Sequence, residues 1–110
     1  MGSIRQNRIE AAIQEAVAGV FQREGASLTL GALVTVTAIR ITPDLSLARC
    51  YLSIFSGPGP EKVMENVELN KKKIRGDVGR RLKNMKMIPE IMFVHDDSLD
   101  YAEKIDNLLK

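Results

Sequence analysis

The sequence predicts an α+β architecture, with helices layered on one face of a three-stranded sheet. Three observations carry this. Apolar residues recur at helical spacing in four segments. Two neighbouring runs, 34–41 and 46–55, have the composition and alternation of strands, and a third short run follows at 91–95. The resulting order is helix, strand, strand, helix, helix, strand, helix. A chain of 110 residues fits one domain spanning 1–110, and it can bury a core without metals or disulfides.

Each element has its own justification. Ser3 and Gln6 read as a capping box. The helix that follows runs to about Arg23 and carries one stripe of Ile9, Ala12, Ile13, Ala16, Val17, Val20 and Phe21. Gly25 is its expected stop, and residues 26–33 read as a loop. Val34 to Ile41 is rich in β-branched residues. Thr42-Pro43-Asp44-Leu45 supplies turn chemistry. From Ser46 to Phe55 the pattern alternates, with Ala48, Cys50, Leu52 and Ile54 on the inner side. These two strands should pair as an antiparallel hairpin. Pro60 suits the first position of the next helix, whose inner face is Val63, Met64 and Val67. A second helix follows, ending near Asn84. Ile91 to His95 makes the last strand. Asp96-Asp97-Ser98 offers caps for an acidic C-terminal helix over 96–110, carrying Leu99, Ala102, Ile105 and Leu109. The helical crossover into the third strand should be right-handed.

Charge is distributed unevenly. Net charge is only +2, yet residues 71–86 hold eight of the 16 Lys and Arg with a single acid, Asp77. Ile74, Val78, Leu82 and Met85 in the same segment are spaced by four, four and three, so one face can enter a core while the other presents cations. Such a basic helix fits a polyanion, nucleic acid above all. On a continuous helix Lys72, Arg75, Gly76, Gly79, Lys83 and Lys86 fall opposite the apolar stripe. Gly76 and Gly79 cost about 1 kcal/mol each against alanine in a helix. Close approach of an RNA backbone would offset that cost. Alternatively they sit incidentally on a solvated face.

Other motifs are weaker. Gly76-Asp77-Val78-Gly79 matches the GxxG pattern of a nucleotide-clamping loop, but Asp77 would repel phosphate and Val78 continues the helical stripe. His95 stands beside Asp96 and Asp97 without the further ligands a metal needs, so no metal and no cofactor are expected. No nucleophile set, Walker loop or dinucleotide fingerprint occurs, which argues against an enzyme and a small-molecule substrate. Cys50, the single cysteine, is expected in the core. Three Phe, two Tyr and no Trp leave few stacking platforms, which favours recognition through phosphates and shape. No stretch is long and apolar enough to span a membrane, and no signal peptide is read at the N-terminus, so the expected location is cytoplasmic. Nothing demands a dimer, and a monomer is expected.

Several segments together resemble the ribosome-binding factor A family. They are Arg5-Gln6-Asn7-Arg8-Ile9, the hairpin from Val36 to Ser53 with Thr42-Pro43-Asp44-Leu45 at its turn, Ile74-Arg75 with Val78-Gly79-Arg80-Arg81-Leu82, Ile88-Pro89-Glu90-Ile91-Met92-Phe93, and Asp96-Asp97-Ser98-Leu99. The resemblance covers nearly the whole chain in order, and the ordered set is its specific part. It implies a type II KH-like fold whose GxxG loop is replaced by a kink, commonly Ala-x-Gly. That position falls here at Asn70-Lys71-Lys72, without those residues. It further implies a non-enzymatic factor that binds the small (30S) ribosomal subunit and its 16S rRNA. Such a factor supports maturation and precursor processing and serves cold adaptation. On this reading Lys71, Lys72, Lys73, Arg75, Arg80, Arg81, Lys83 and Lys86 contact phosphates. Gly76 and Gly79 admit the RNA backbone, and Arg5 and Arg8 are secondary contacts. Alternatives are a KH module reading single-stranded RNA through residues 76–79, and a protein-interaction module using the acidic C-terminal helix.

Overall fold

The computed structural model describes residues 4–83, Met85 and residues 87–97. The elements are α1 (Ile4–Glu24), α2 (Ala26–Thr29), β1 (Leu33–Ile41), β2 (Leu47–Phe55), α3 (Pro60–Leu69), α4 (Lys71–Arg81) and β3 (Glu90–His95). The strands lie in the order β1-β2-β3, with β1 and β2 antiparallel and β2 and β3 parallel. A parallel pair cannot be joined by a tight turn, and α3 and α4 supply the crossover. This is the type II KH-like α+β arrangement, with the helices on one face of the sheet.

The alternation read from the sequence sets which residues face that layer. Ala48, Cys50 and Leu52 of the central strand are fully buried, with Ile39, Ile41, Ile91 and Phe93 beside them. The α1 stripe meets them through Ile13, Ala16, Val17, Val20 and Phe21, while α3 adds Val63 and Val67 and α4 adds Ile74 and Val78. Phe21 and Phe93 meet edge to face, with centroids 6.3 Å apart. Burial alone pushes the Cys50 thiol up to about 12.

In the hairpin turn, Asp44 Oδ1 accepts from the Thr42 hydroxyl at 2.7 Å, the Ser46 hydroxyl at 2.8 Å and the Ser46 N–H at 3.1 Å. These bonds, the Thr42 hydroxyl first, hold its carboxyl below the usual carboxylate range. The same network keeps Leu45 at φ 63°, which an apolar residue rarely adopts. A bulge interrupts the β1–β2 register at Thr37, whose hydroxyl donates to Asp96 Oδ2 at 2.7 Å. The outer edge of β1 is occupied by α1 side chains one turn apart. Gln6 donates to Ile41 O, Glu10 accepts from Ile41 N–H, and Gln14 donates to Val36 O. An edge strand bonded in this way no longer invites another chain at those groups.

Two sequence-based expectations change. Within residues 26–33, Ala26–Thr29 is a helical turn rather than loop. Gly25 enters it at φ 57°. The Asn66 amide on α3 donates to the carbonyls of Ser27 and Leu28, and Leu28 is buried. Long-range bonds therefore stabilise a turn too short for local periodicity to show. The basic helix ends at Arg81, not near Asn84, because Leu82 leaves helical geometry at ψ 53°. The chain must turn back there so that Glu90 can donate to Ser46 O and start β3. The predicted Ser3 cap, Asn84 and the C-terminal helix from Ser98 lie outside the described residues.

Candidate nucleic-acid interface

Helix α4 follows α3 after a single residue. Asn70 sits at φ −103° and ψ 11°, and its side chain donates to Asn66 O at 2.8 Å. The amide thus satisfies a carbonyl at the end of α3 while Asn70 O accepts from Ile74 N–H in the first turn of α4. The kink falls where the family resemblance placed it, built on asparagine instead of a small-residue pair.

The cations of α4 divide into two groups. Four are engaged within the protein. Lys73 pairs with Glu24 of α1 at 3.3 Å. Arg75 donates to the carbonyls of Ile88 at 2.7 Å and Pro89 at 3.3 Å, clasping the segment that returns to β3. Arg80 pairs with Asp77 one turn earlier. Arg81 lies over α1 at Gly19, where an added Cβ would stand 2.6 Å from its Nη1 and 3.1 Å from its Cζ. The second group is Lys71, Lys72 and Lys83. None forms a hydrogen bond or ion pair with a described residue, and Lys72 and Lys83 are exposed.

The glycines also separate. Gly76 faces open space apart from the tip of Arg80, 3.8 Å from where its Cβ would be. Gly79 does not share that open face, since Ile88 Cγ1 would be 3.6 Å from its Cβ. The early end of α4 explains this, because the chain has turned back by Ile88, which lies against it. Lys83 consequently stands beyond the helix rather than on its outer row, and Lys86 lies outside the described residues. Residues 76–79 are mid-helix, so they do not form the nucleotide-clamping loop. Asp77 does not face solvent either. Its side chain is 3% exposed, and Oδ2 finds no hydrogen-bond partner.

Arg5 and Arg8 are exposed on the first turns of α1. Arg5 lines a groove of about 620 Å³ with Ile9, Met85, Met87 and Pro89. Met85, Met87 and Pro89, which follow α4 in the chain, therefore lie beside the N-terminal end of α1. Glu24 and Gly19 were not singled out as part of this surface in the sequence. A glycine inside a 21-residue helix was the available signal, because it costs about 1 kcal/mol unless something needs the space. Among the described residues no group of three His, Cys, Asp or Glu could hold a metal, and no helix is long and apolar enough to cross a membrane.

The model of the family described as ribosome-binding factor A matches residues 5–109. A ribosome-binding factor A from Cytophaga hutchinsonii is 34% identical over 110 residues, covering 99% of this chain and 83% of that protein. The crystal structure of ribosome-binding factor A from Thermus thermophilus aligns with a TM-score of 0.69 at 24% identity, over 82% of this chain and 94% of that one. A homology model of the Thermus thermophilus factor, fitted into a cryo-electron microscopy map of its complex with the 30S subunit, aligns with a TM-score of 0.68 at 24% identity. That alignment covers 82% of this chain and 93% of that one.

Proposed function

Because this chain belongs to the ribosome-binding factor A family, we propose that it binds the small ribosomal subunit through α4 and the segment after it. There it would hold immature 16S rRNA until the region matures. The observation that carries this reading is the set of unengaged cations at Lys71, Lys72 and Lys83, beside the open backbone of Gly76. Phosphates supply the missing counter-charge, and an uncovered helix backbone lets a phosphate-sugar chain approach closely. Arg5 and Arg8 extend the contact along α1. Lys73, Arg75, Arg80 and Arg81 shape this surface and contribute to its field; Lys73, Arg75 and Arg80 would share or give up an internal partner to reach a phosphate, whereas Arg81 would leave its packing against Gly19.

On this reading the protein acts as a single KH-like unit and a monomer in the cytoplasm. It is a binding factor, without a reaction of its own. Its occupancy supports processing of precursor rRNA and matters most in the cold, when misfolded RNA resolves slowly. The related Thermus thermophilus factor, fitted in a 30S complex, supports the choice of the small subunit.

The test is co-sedimentation of the purified protein with mature small subunits, immature precursors and complete ribosomes, at low and moderate salt. Salt-sensitive pelleting with small subunits and precursors, absent from complete ribosomes, is the expected result. Failure to pellet with any particle would overturn the proposal.

A further inference from the structure

The face of the sheet away from the helices carries a second cationic feature. In the β1–β2 register Arg40 stands directly opposite Arg49, and both are exposed. Like charges directly opposed on one sheet face are destabilising. The row of Thr35 opposite Ser53 on the same face carries no charge. Neither arginine has a carboxylate within ion-pair distance among the described residues. Arg40 donates only to the carbonyl of its neighbour Ile39, at 3.1 Å, and Arg49 makes no hydrogen bond there. Among the described residues, two carboxylates belong to this face by register. Glu90 lies opposite Leu47, one row from Arg49, and Asp96 is held by Thr37 at the far end. Among the described residues the arginine row is therefore a local concentration of positive charge without an ion-pair partner.

Its surroundings are apolar and low. Arg49 has Met92 across from it on β3, 46% exposed. The next row is Ala38, Tyr51 and Val94, with Tyr51 half-buried. Ala38 is small, so the side of the tyrosine ring towards β1 has no bulky neighbour in its row. A planar guanidinium can take a phosphate through two parallel hydrogen bonds, and the strip beside the arginines suits sugars and the edge of a base.

We propose that this face, which none of the described helices covers, is a second RNA-contact surface, on which Arg40 and Arg49 grip phosphates of one RNA strand. The choice of RNA rests on the function proposed above; the choice of surface rests on the arginine pair. The exposed row of α4 points away from the sheet, so the two surfaces lie on opposite sides of the fold. The protein would then sit between two RNA segments and brace them.

The experiment compares wild type, R40E/R49E, the conservative R40Q/R49Q, and K62E as a charge control on α3. Binding to small subunits and to naked 16S rRNA is measured across a salt series, with circular dichroism and thermal melts confirming the fold. Expected is a loss of about tenfold or more for R40E/R49E on both targets. The log–log salt slope should be shallower by about 2, near one unit per phosphate contact. R40Q/R49Q should lose affinity while melting no lower than wild type, since it removes the like-charge opposition. Wild-type affinity and slope in a folded arginine variant would overturn the proposal, as would an equal loss in K62E. Loss on subunits with unchanged binding to naked rRNA would overturn RNA as the occupant and point to a ribosomal protein. If wild type binds neither target, the function proposed above fails together with this inference. Binding by wild type with no effect of the arginine variants removes this inference alone.

Discussion

Helices α3 and α4 are consecutive, separated by Asn70 alone, and do the same structural work. Each sends two apolar residues into the same core, Val63 and Val67 from one, Ile74 and Val78 from the other. Their solvent sides are opposite in sign. α3 has three acids and one base, whereas α4 has six bases and one acid. Burial of the apolar pair therefore does not by itself require a basic exterior, since α3 enters the same core with an acidic one. Within α4 a second contrast holds, between cations that close contacts inside the protein and cations that close none.

Reversing the unengaged cations is the strongest way to break this comparison. The variant K71E/K72E/K83E should lose subunit binding by about a hundredfold or more and flatten its salt slope by about 2 to 3. Surface changes of this kind usually leave stability within about 0.5 kcal/mol each. The matching E61K/E65K/E68K on α3 should not weaken binding. Sedimentation at several salt concentrations, beside thermal melts, reads both quantities. Equal losses from the two helices would mean that net charge alone governs binding.

A smaller effect separates the two kinds of cation. Arg75→Ala removes two hydrogen bonds to the carbonyls of Ile88 and Pro89. It should cost about 1 to 2 kcal/mol in urea unfolding, because hydrogen bonds from a charged donor are worth more than neutral ones. Lys72→Ala should change stability by less than about 0.5 kcal/mol while weakening binding more than its stability effect implies. Identical stability changes would erase the division drawn within α4.

The single acid of α4 gives a third test. Asp77 is buried with one oxygen unpartnered, while its partner Arg80 is 70% exposed. Replacing the buried member leaves no charge stranded, because Arg80 can hydrate. Asp77→Leu should therefore stabilise the protein by about 1 kcal/mol, and it should tighten RNA binding by removing the only negative charge on the helix. A destabilised Asp77→Leu would show that the carboxylate organises more than Arg80.

The finest test concerns Gly76. Its Cβ position is open, so Gly76→Ala should add about 0.5 to 1 kcal/mol of stability through helix propensity. If RNA uses the bare backbone, the same variant should bind several-fold more weakly. A stabilised protein with undiminished affinity would leave Gly76 as an incidental glycine on a solvated face.

Apolar periodicity and turn residues were enough for α1, α3, α4, the three strands with their inner rows and the hairpin, while the ordered set of motifs along the chain carried the family. Apolar spacing and turn residues act locally, and a core of this size follows from them. Clustering of charge likewise identified α4 as the distinctive face. Tertiary structure decided the rest. It placed α2 through the Asn66 amide, ended α4 at Arg81 so that β3 could pair with β2, and covered Gly79 with Ile88. It also buried Asp77, seated Arg81 in the space left by Gly19, and brought Arg40 opposite Arg49. Each of these depends on which atoms meet across long sequence separations. A cation reads the same in the sequence whether its counter-charge is a distant carbonyl, a neighbouring carboxylate or a phosphate outside the chain. Only the folded neighbourhood shows which of those partners the chain itself supplies.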